Sequence, residues 1–250
     1  MLWEALHWLT TPCPPWARAT GMLHASIALG ARARRCAGAW APHLDQVRTH
    51  ISAAATGGDT VVVLGSGWLH DVPIEHLVAR YRRVVLVDAV HPRPVHALAR
   101  RDPRIILAEI DLSGVLIGLW QHREWPPLLA EPLAVDWRPW CPVPADLVIS
   151  DLILSQIGMA ACRIADRRGA DPTASAAWAE RIQAHHLATL PTARRTLLIT
   201  DTTVSEGDDL TELVPPSLLP TPRATWTWRV APAGELGPLA IDHHVIVADL

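Results

Sequence analysis

Glycine and aspartate residues follow the short apolar runs in the middle of this chain, and their positions are the clearest sign of chemistry in the sequence. A glycine-rich turn, Gly65-Ser66-Gly67, closes the first run, and an aspartate ends or closely follows each of the other four. These are Asp88, Asp111, Asp151 and Asp201. Glycine lets a backbone turn tightly and approach a ligand closely, and a carboxylate accepts hydrogen bonds or a proton. The regular pattern therefore predicts a polar ligand site.

The five apolar runs are predicted to be β-strands. Near-continuous aliphatic stretches of this length are typical of parallel strands that are covered on both faces. The runs are 60–64, 84–87, 104–108, 146–150 and 196–201. Segments with helical character lie between them, at 74–81, 94–101, 114–122, 156–168 and 174–190. This alternation predicts an α/β fold with a doubly wound, mostly parallel sheet and helices on both faces.

Two further strands are predicted near the C-terminus, at 225–230 and 240–247. About ten residues join them, including Pro232, Gly234, Gly237 and Pro238. A connection of this length has no room for the crossover helix that parallel neighbours need. The two strands are therefore predicted to form an antiparallel hairpin.

The predicted topology places the polar residues together. In an open α/β sheet, ligands bind beyond the carboxyl ends of the strands, where the strand order reverses. Asp88 ends the second strand, where its carboxylate is suitably placed to accept hydrogen bonds from both hydroxyls of a ribose. The helix after the first strand is predicted to begin with Asp71 as its N-cap and Pro73 in its first turn. Its free N–H groups would then face an anionic group such as an amino-acid carboxylate.

With these features, residues 58–250 resemble the class I S-adenosylmethionine-dependent methyltransferases. The resemblance rests on strand–Gly-x-Gly–helix, strand–Asp, strand–x-Asp, then Asp-Leu-Val-Ile-Ser-Asp, and a terminal antiparallel hairpin. It implies a Rossmann-like domain at 58–250 with a seven-stranded sheet in the order 3-2-1-4-5-7-6, in which only strand 7 is antiparallel. The cofactor would be S-adenosylmethionine and the activity methyl transfer, with a small molecule as the expected acceptor.

The resemblance also implies roles for individual residues. Gly65 and Gly67 would line the methionine end of the cofactor, Asp88 would hold the ribose, and Asp111 would meet the adenine. Asp151 would lie near the transferred methyl group and orient or deprotonate the acceptor. Three neighbours complete the expected cofactor site: Ser66, Ala89 and Leu112.

Two departures from the family pattern leave other functions open. Val63 stands where the family usually has an acidic residue, and Leu69 stands at the position of its usual third glycine. A non-catalytic binding or scaffold protein is therefore an alternative. A nicotinamide-dependent oxidoreductase is another, because it shares the Gly-x-Gly turn and the acid after strand two. The Asn/Asp-Pro-Pro-Tyr motif is absent after strand four, which disfavours amino-group methylation of bases and of glutamine.

The first 57 residues are predicted to form a helical cap over the ligand edge of the sheet. They contain four tryptophans, whose apolar surface a short helical segment could hardly bury by itself. These are Trp3, Trp8, Trp16 and Trp40. The Pro- and Trp-rich loop at 125–144 is expected to help roof the acceptor pocket, since long connections are usually functional or mobile.

Composition excludes several other classes of function. The net charge of −3 gives no general attraction to nucleic acid or to an anionic membrane. The four cysteines are widely spaced, and adjacent histidines (His185-His186 and His243-His244) cannot chelate as pairs, so no metal site is expected. No signal peptide or membrane span is predicted, so a cytoplasmic location is expected. All basic residues are arginine, and Lys, Phe and Asn are absent, which suggests a GC-rich bacterial genome. The oligomeric state is left open.

Overall fold

One mixed β-sheet of eight strands forms the centre of the molecule. The computed structural model describes residues 2–122 and 131–250. Seven strands follow the order β3-β2-β1-β4-β5-β8-β7, and β6 pairs with β5. The strands are β1 (Gly58–Leu64), β2 (Tyr81–Asp88), β3 (Ile105–Glu109), β4 (Leu147–Asp151), β5 (Thr196–Glu206), β6 (Asp209–Glu212), β7 (Ala224–Ala231) and β8 (Ile241–Asp249).

The predicted strand order is confirmed, with one addition. Strands β1 to β5 are parallel, and β8 lies antiparallel between β5 and β7. The structure adds β6, because β5 continues past its predicted end at Asp201 to Glu206 and pairs antiparallel with β6 across a turn. The sheet therefore has eight strands where seven were predicted, and β6 is a second antiparallel element. Gly207 permits the turn with a φ of 61°.

Alternate side chains of the central strands pack in two separate apolar cores, one on each face of the sheet. In β1, Val61 and Val63 face one apolar cluster, while Val62 and Leu64 face the other. All four are fully buried. Successive side chains of a strand point to opposite faces, so only an uninterrupted apolar run fills both cores. This is the physical reason why the runs predicted parallel strands correctly.

Helices cover both faces of the sheet. Against one face pack α4 (Ala37–Ala54), α5 (Ile74–Arg80) and α6 (Arg93–Arg101). Against the other face pack α7 (Leu116–Gln121), α8 (Met159–Arg167) and α9 (Pro172–Ala188), together with residues of α2 (Pro15–Ala19) and α3 (Met22–Arg35). A further helix, α1 (Leu2–Thr10), packs on α3. No helix within residues 2–122 or 131–250 is long and apolar enough to cross a membrane.

The N-terminal helices take two different positions. Helix α4 packs against β7, where Trp40 donates an indole hydrogen bond to the Val230 carbonyl at 2.9 Å. Helix α3 instead covers the glycine turn, with Gly30 facing Trp68 and the Ser26 carbonyl accepting from its indole N–H at 2.8 Å. A Cβ at Gly30 would come within 2.5 Å of the Trp68 ring. The last helix of the expected cap is thus part of a sheet-covering layer, and α3 lies over the ligand edge.

Replacing Trp40 with alanine is expected to destabilise the protein by about 3–5 kcal/mol. The Trp40 side chain is 3% exposed and packs edge-on against Trp228. Its removal also leaves the Val230 carbonyl without the indole hydrogen bond. Chemical denaturation of the full chain measures the change. Trp8→Ala on α1 is the matched control, because Trp8 is 38% exposed. A loss of stability in Trp40→Ala that is as small as the loss in Trp8→Ala would show that α4 is not part of the core.

Candidate functional site

A cleft of about 400 Å³ opens beyond the carboxyl ends of β1 to β4. Helix α3 forms one wall through Ser26, Leu29 and Arg32. The eight residues for which the resemblance implied a place in the cofactor site or a catalytic role all line this cleft. They are Gly65, Ser66, Gly67, Asp88, Ala89, Asp111, Leu112 and Asp151. The order of the strands accounts for this meeting, since β1 lies between β2 and β4 and the polar turns therefore share one edge.

The glycine turn approaches β4 so closely that a side chain has no room. Gly65 has a φ of 84°, and a Cβ built on it would lie 2.5 Å from the Asp151 carbonyl oxygen. Gly67 has a φ of 42°, and Leu69 has a φ of 58°. Leu69 therefore keeps the left-handed backbone that favours glycine, at a cost of roughly 1–2 kcal/mol. Leu69 therefore differs from the usual third glycine of the family in residue type, but its backbone has the left-handed conformation that a glycine adopts easily.

The Ser66 side chain faces the protein interior. Its hydroxyl lies 3.2 Å from Nε2 of His91, and both side chains are buried. Burial lowers the pKa of His91 to about 4, so this ring is neutral near neutral pH. Ser66 can therefore offer a ligand its backbone only.

The Asp88 carboxylate ties the glycine turn to the end of β2. It accepts a hydrogen bond from the Gly67 N–H at 2.9 Å and from the Ala89 N–H at 2.7 Å. Burial raises the pKa of Asp88, and these N–H groups oppose that rise. Its Oδ1 also accepts from the Val90 N–H at 3.4 Å. A carboxylate has about four lone-pair sites, so one site, on Oδ2, stays free for a ligand. Asp88 thus has a structural role in addition to the binding role that the sequence predicted.

Asp111 organises the turn between β3 and α7. Its Oδ1 accepts from the Ser113 hydroxyl at 2.5 Å, and its Oδ2 accepts from the Ile117 N–H at 3.0 Å. Burial raises the pKa of this carboxyl, while the hydrogen bond from Ser113 acts against the rise. With both oxygens engaged locally, Asp111 shapes the site mainly by fixing the backbone around Leu112.

Asp151 is the one strand-end carboxylate in the cleft that is left without hydrogen bonds. It is 2% exposed, and neither oxygen has a partner within the described part of the chain. Burial and the negative charge of Asp71 raise the pKa of Asp151 well above its ordinary value. Leu152 follows it with a φ of 52°, a left-handed backbone that non-glycine residues rarely adopt.

Asp71 is not the helix cap that the sequence predicted. Helix α5 begins at Ile74, and Pro73 occupies the N-cap position without a side-chain hydrogen bond. Asp71 instead lies on the cleft wall, where burial raises its pKa to about 6. The Arg48 guanidinium opposes that rise and donates to the His70 carbonyl. The preceding left-handed residue, Leu69, turned the chain away from the helical path that the cap prediction assumed.

An aromatic wall forms another side of the cleft, and the sequence analysis did not find it. It consists of Trp40, His43 and Trp228, with the His43 and Trp228 rings stacked at 4.1 Å. Nδ1 of His43 accepts from the Trp226 indole at 3.0 Å. Burial lowers the pKa of His43 to about 3, so the ring is neutral and its proton lies on Nε2. Residues from α4 and β7 are too distant in sequence for any local pattern to pair them.

Asp201 lies outside the cleft, unlike the other strand-end aspartates. It accepts hydrogen bonds from the Ser155 hydroxyl and from Nδ1 of His243. His243 in turn packs edge-on against Trp228. Asp201 therefore supports the aromatic wall from behind. Within the described residues, no group of three or more His, Cys, Asp or Glu side chains could hold a metal ion.

The Pro- and Trp-rich loop takes a different place from the one expected. Residues 125–130 of this loop lie outside the described residues. The segment 131–140 lines a second cavity of about 650 Å³ with Glu109, Asp111 and Ile117. None of the described loop residues lines the first cleft, so the expectation that they roof the pocket containing Asp151 is wrong for that part. Trp137 and Trp140 pack on the core instead.

Comparisons with known proteins concern the fold. No protein-family model matches the chain, and no curated protein is similar to it in sequence. Among solved structures, this chain is similar to the N-methyltransferase NodS from Bradyrhizobium japonicum WM9 in complex with S-adenosyl-L-homocysteine. The TM-score is 0.40 and the sequence identity is 12%, and the alignment covers 83% of this chain and 85% of NodS.

Two further solved structures are similar at the same level. One is DhpI in a DhpI-SAM-HEP complex, with a TM-score of 0.37, 13% identity and coverage of 94% and 99% of the two chains. The other is the glycopeptide N-methyltransferase MtfA, with a TM-score of 0.34, 13% identity and coverage of 81% and 73%. The strand order seen here is the one that the resemblance to class I methyltransferases implies. The roles of the site residues rest on the geometry described above.

Replacing Gly65 with alanine is expected to lower the melting temperature by several degrees. The left-handed backbone alone costs about 1–2 kcal/mol in a residue with a Cβ, and the new methyl group would press on the Asp151 carbonyl. Gly38→Ala is the matched control, because nothing lies within 4 Å of its Cβ position in α4. Equal melting temperatures for both variants would show that the close approach at Gly65 is not required.

Replacing Asp71 with asparagine is expected to stabilise the protein at about pH 8 and to have less effect as the pH falls from about 6 to about 4. The folded pKa of Asp71 is raised above its unfolded value, so the folded protein loses stability as the pH rises through the folded pKa. Removing the charge removes this loss and also relieves Asp151. Thermal melts across this range, with exposed Asp208→Asn as the control, measure the difference. A gain that does not depend on pH would contradict this account.

Proposed function

We propose that this protein is an S-adenosylmethionine-dependent methyltransferase that acts on a small-molecule acceptor. One observation carries the proposal: all eight residues predicted for such a site line a single cleft at the carboxyl ends of β1 to β4. The cleft volume of about 400 Å³ lies within the range of small-molecule sites. The position beside β1, where the strand order reverses, is where open α/β sheets bind ligands.

The residues present fit the cofactor. The backbone of Gly65 and Gly67 forms a cradle that a Cβ at Gly65 would fill, so this segment suits close contact with the methionine end. Asp88 keeps a free site on Oδ2 for a ribose hydroxyl, and the backbone at Leu112, fixed by Asp111, suits the adenine. When bound, S-adenosylmethionine supplies a methyl group on a sulfonium, which a nucleophile takes as the carbon–sulfur bond breaks.

The residues of this chain would position the bound groups, exclude water from the cleft and provide a proton acceptor. Helix α3 closes the cleft over the glycine turn through Trp68 and Gly30, which holds bound groups together and limits solvent. Asp151 is the candidate catalytic residue. Because its pKa is raised, its carboxylate is a better proton acceptor than an exposed aspartate. It would orient the acceptor or take its proton.

The acceptor class and location follow from the same features. A cleft with an aromatic wall suits a compact organic molecule, and the net charge of −3 does not favour nucleic acid. The four cysteines are free thiols, which supports a reducing compartment such as the cytoplasm.

The Asp88→Ala variant is expected to bind S-adenosylmethionine at least about tenfold more weakly than the wild type. At least one charge-assisted hydrogen bond to the ribose is lost, worth about 1.5–3 kcal/mol. Asp88→Asn is expected to lose less, because its amide oxygen still accepts. The alanine variant is also expected to melt at a lower temperature, because the carboxylate holds Gly67 and Ala89.

Calorimetric titrations with S-adenosylmethionine, S-adenosylhomocysteine and NAD⁺ test the proposal, with thermal melts of each variant. Asp102→Ala serves as the control, since this acid pairs with Arg104 before β3, at the opposite edge of the sheet. Unchanged cofactor affinity in a folded Asp88→Ala variant would show that the ribose is not bound there. Binding of NAD⁺ without S-adenosylmethionine would favour the oxidoreductase instead.

A further inference from the structure

Two carboxylates from separate elements meet in the cleft. Asp151 ends β4, and Asp71 lies in the loop between β1 and α5. Both line the cleft, and the negative charge of Asp71 acts together with burial to raise the pKa of Asp151. Buried polar atoms in folded proteins almost always have partners. Two orphaned carboxylate oxygens on Asp151 therefore point to a ligand group that completes them.

Within the described residues, no basic side chain donates a hydrogen bond to Asp151. The Arg48 guanidinium acts on Asp71 but is itself occupied by the His70 carbonyl and by Asp45. Arg32 and Arg163 also line the cleft, but the charge that acts on Asp151 is that of Asp71. The Asp151 carboxyl group is therefore left without a positively charged partner in a partly closed site. A buried charge without a partner is costly, so a ligand with one positive charge would be stabilised there.

The surroundings favour an organic cation over a metal ion. Within the described residues, no third His, Cys, Asp or Glu joins the pair to make a metal-ligand group. The same cleft has the wall of Trp40, His43 and Trp228, and aromatic faces attract organic cations and pack against their apolar parts. Acidic side chains together with aromatic rings are suited to an ammonium group attached to carbon.

We propose that Asp71 and Asp151 form a binding subsite for an organic ammonium group. Two sources have this chemistry: an amine acceptor, or the amino group at the methionine end of the cofactor. For the second source, the pair would supply the acid that is missing at Val63, which is fully buried in β1. For an amine acceptor, Asp151 would also take one proton, which turns R–NH₃⁺ and carboxylate into R–NH₂ and carboxylic acid. The identity of these two sources rests on the proposed function, whereas the binding of an ammonium group by the two carboxylates does not.

Calorimetric titrations of the full chain near neutral pH test the subsite. The variants are Asp71→Asn and Asp151→Asn, with exposed Asp208→Asn as the control, and thermal melts confirm that each is folded. The probes are S-adenosylhomocysteine, 5′-methylthioadenosine (which lacks the amino-acid end), benzylamine and benzyl alcohol. Benzylamine and benzyl alcohol are titrated both without and with saturating S-adenosylhomocysteine.

The subsite predicts a loss of at least about tenfold in the affinity for one ammonium probe in each Asn variant, because a charge-assisted contact is removed. If S-adenosylhomocysteine loses affinity while 5′-methylthioadenosine does not, the ammonium is that of the cofactor. If benzylamine loses affinity at saturating S-adenosylhomocysteine while benzyl alcohol does not, it is that of the acceptor. The Asp208→Asn control is expected to change neither affinity.

The subsite is overturned if both Asn variants bind S-adenosylhomocysteine and benzylamine as the wild type does. The amine acceptor as the source is overturned if benzyl alcohol binds the wild type as tightly as benzylamine does at saturating S-adenosylhomocysteine. The failure of the proposed function looks different, because the wild type would then bind neither S-adenosylmethionine nor S-adenosylhomocysteine. The benzylamine titration without cofactor still reports on the carboxylate pair in that case.

Discussion

The close approach of the glycine turn to the end of β4 is the contact on which the site depends. With Gly65 against the Asp151 carbonyl, β1 and β4 end at the same depth, and the turn passes over the sheet edge. The Asp88 carboxylate then fixes the turn from β2 through the Gly67 N–H. Trp68, three residues after Gly65, docks on α3 and closes the cleft. A larger residue at Gly65 would disturb each of these contacts in turn.

Partners separate the strand-end carboxylates into structural and functional groups. Asp88 and Asp111 accept backbone N–H groups, and Asp201 is held by Ser155 and His243. These acids have hydrogen-bond partners, and they stabilise turns or support the aromatic wall, while Asp88 also keeps one acceptor site on Oδ2 for a ligand. Asp151 has none, although it is as deeply buried. Since a protein gains no stability from such a group, its presence is best explained by a ligand.

Strain and charge are concentrated at one place in this fold. Leu69 and Leu152 have left-handed backbones, and they lie next to the loop and strand end that bear Asp71 and Asp151. Both carboxyl groups have raised pKa values. The central strands β1 and β2 consist mainly of fully buried aliphatic residues that pair in regular register. The stability of the two apolar cores allows the cleft to keep unfavourable backbone and charge.

The sequence by itself determined seven of the eight strands and the set of residues at the ligand edge, and its resemblance to the class I methyltransferases implied the strand order. Apolar runs that fill both faces of a sheet and polar residues at their ends are local patterns, and they are visible in one dimension. Only the tertiary structure decided what each polar residue does. The pairing of Asp71 with Asp151, the wall formed by Trp40 and Trp228, and the turning of Ser66 towards His91 join distant segments. Such pairings depend on the conformations of loops, and the type of a side chain does not reveal these conformations. Leu69 is the clearest case, because its left-handed backbone is unusual for a leucine.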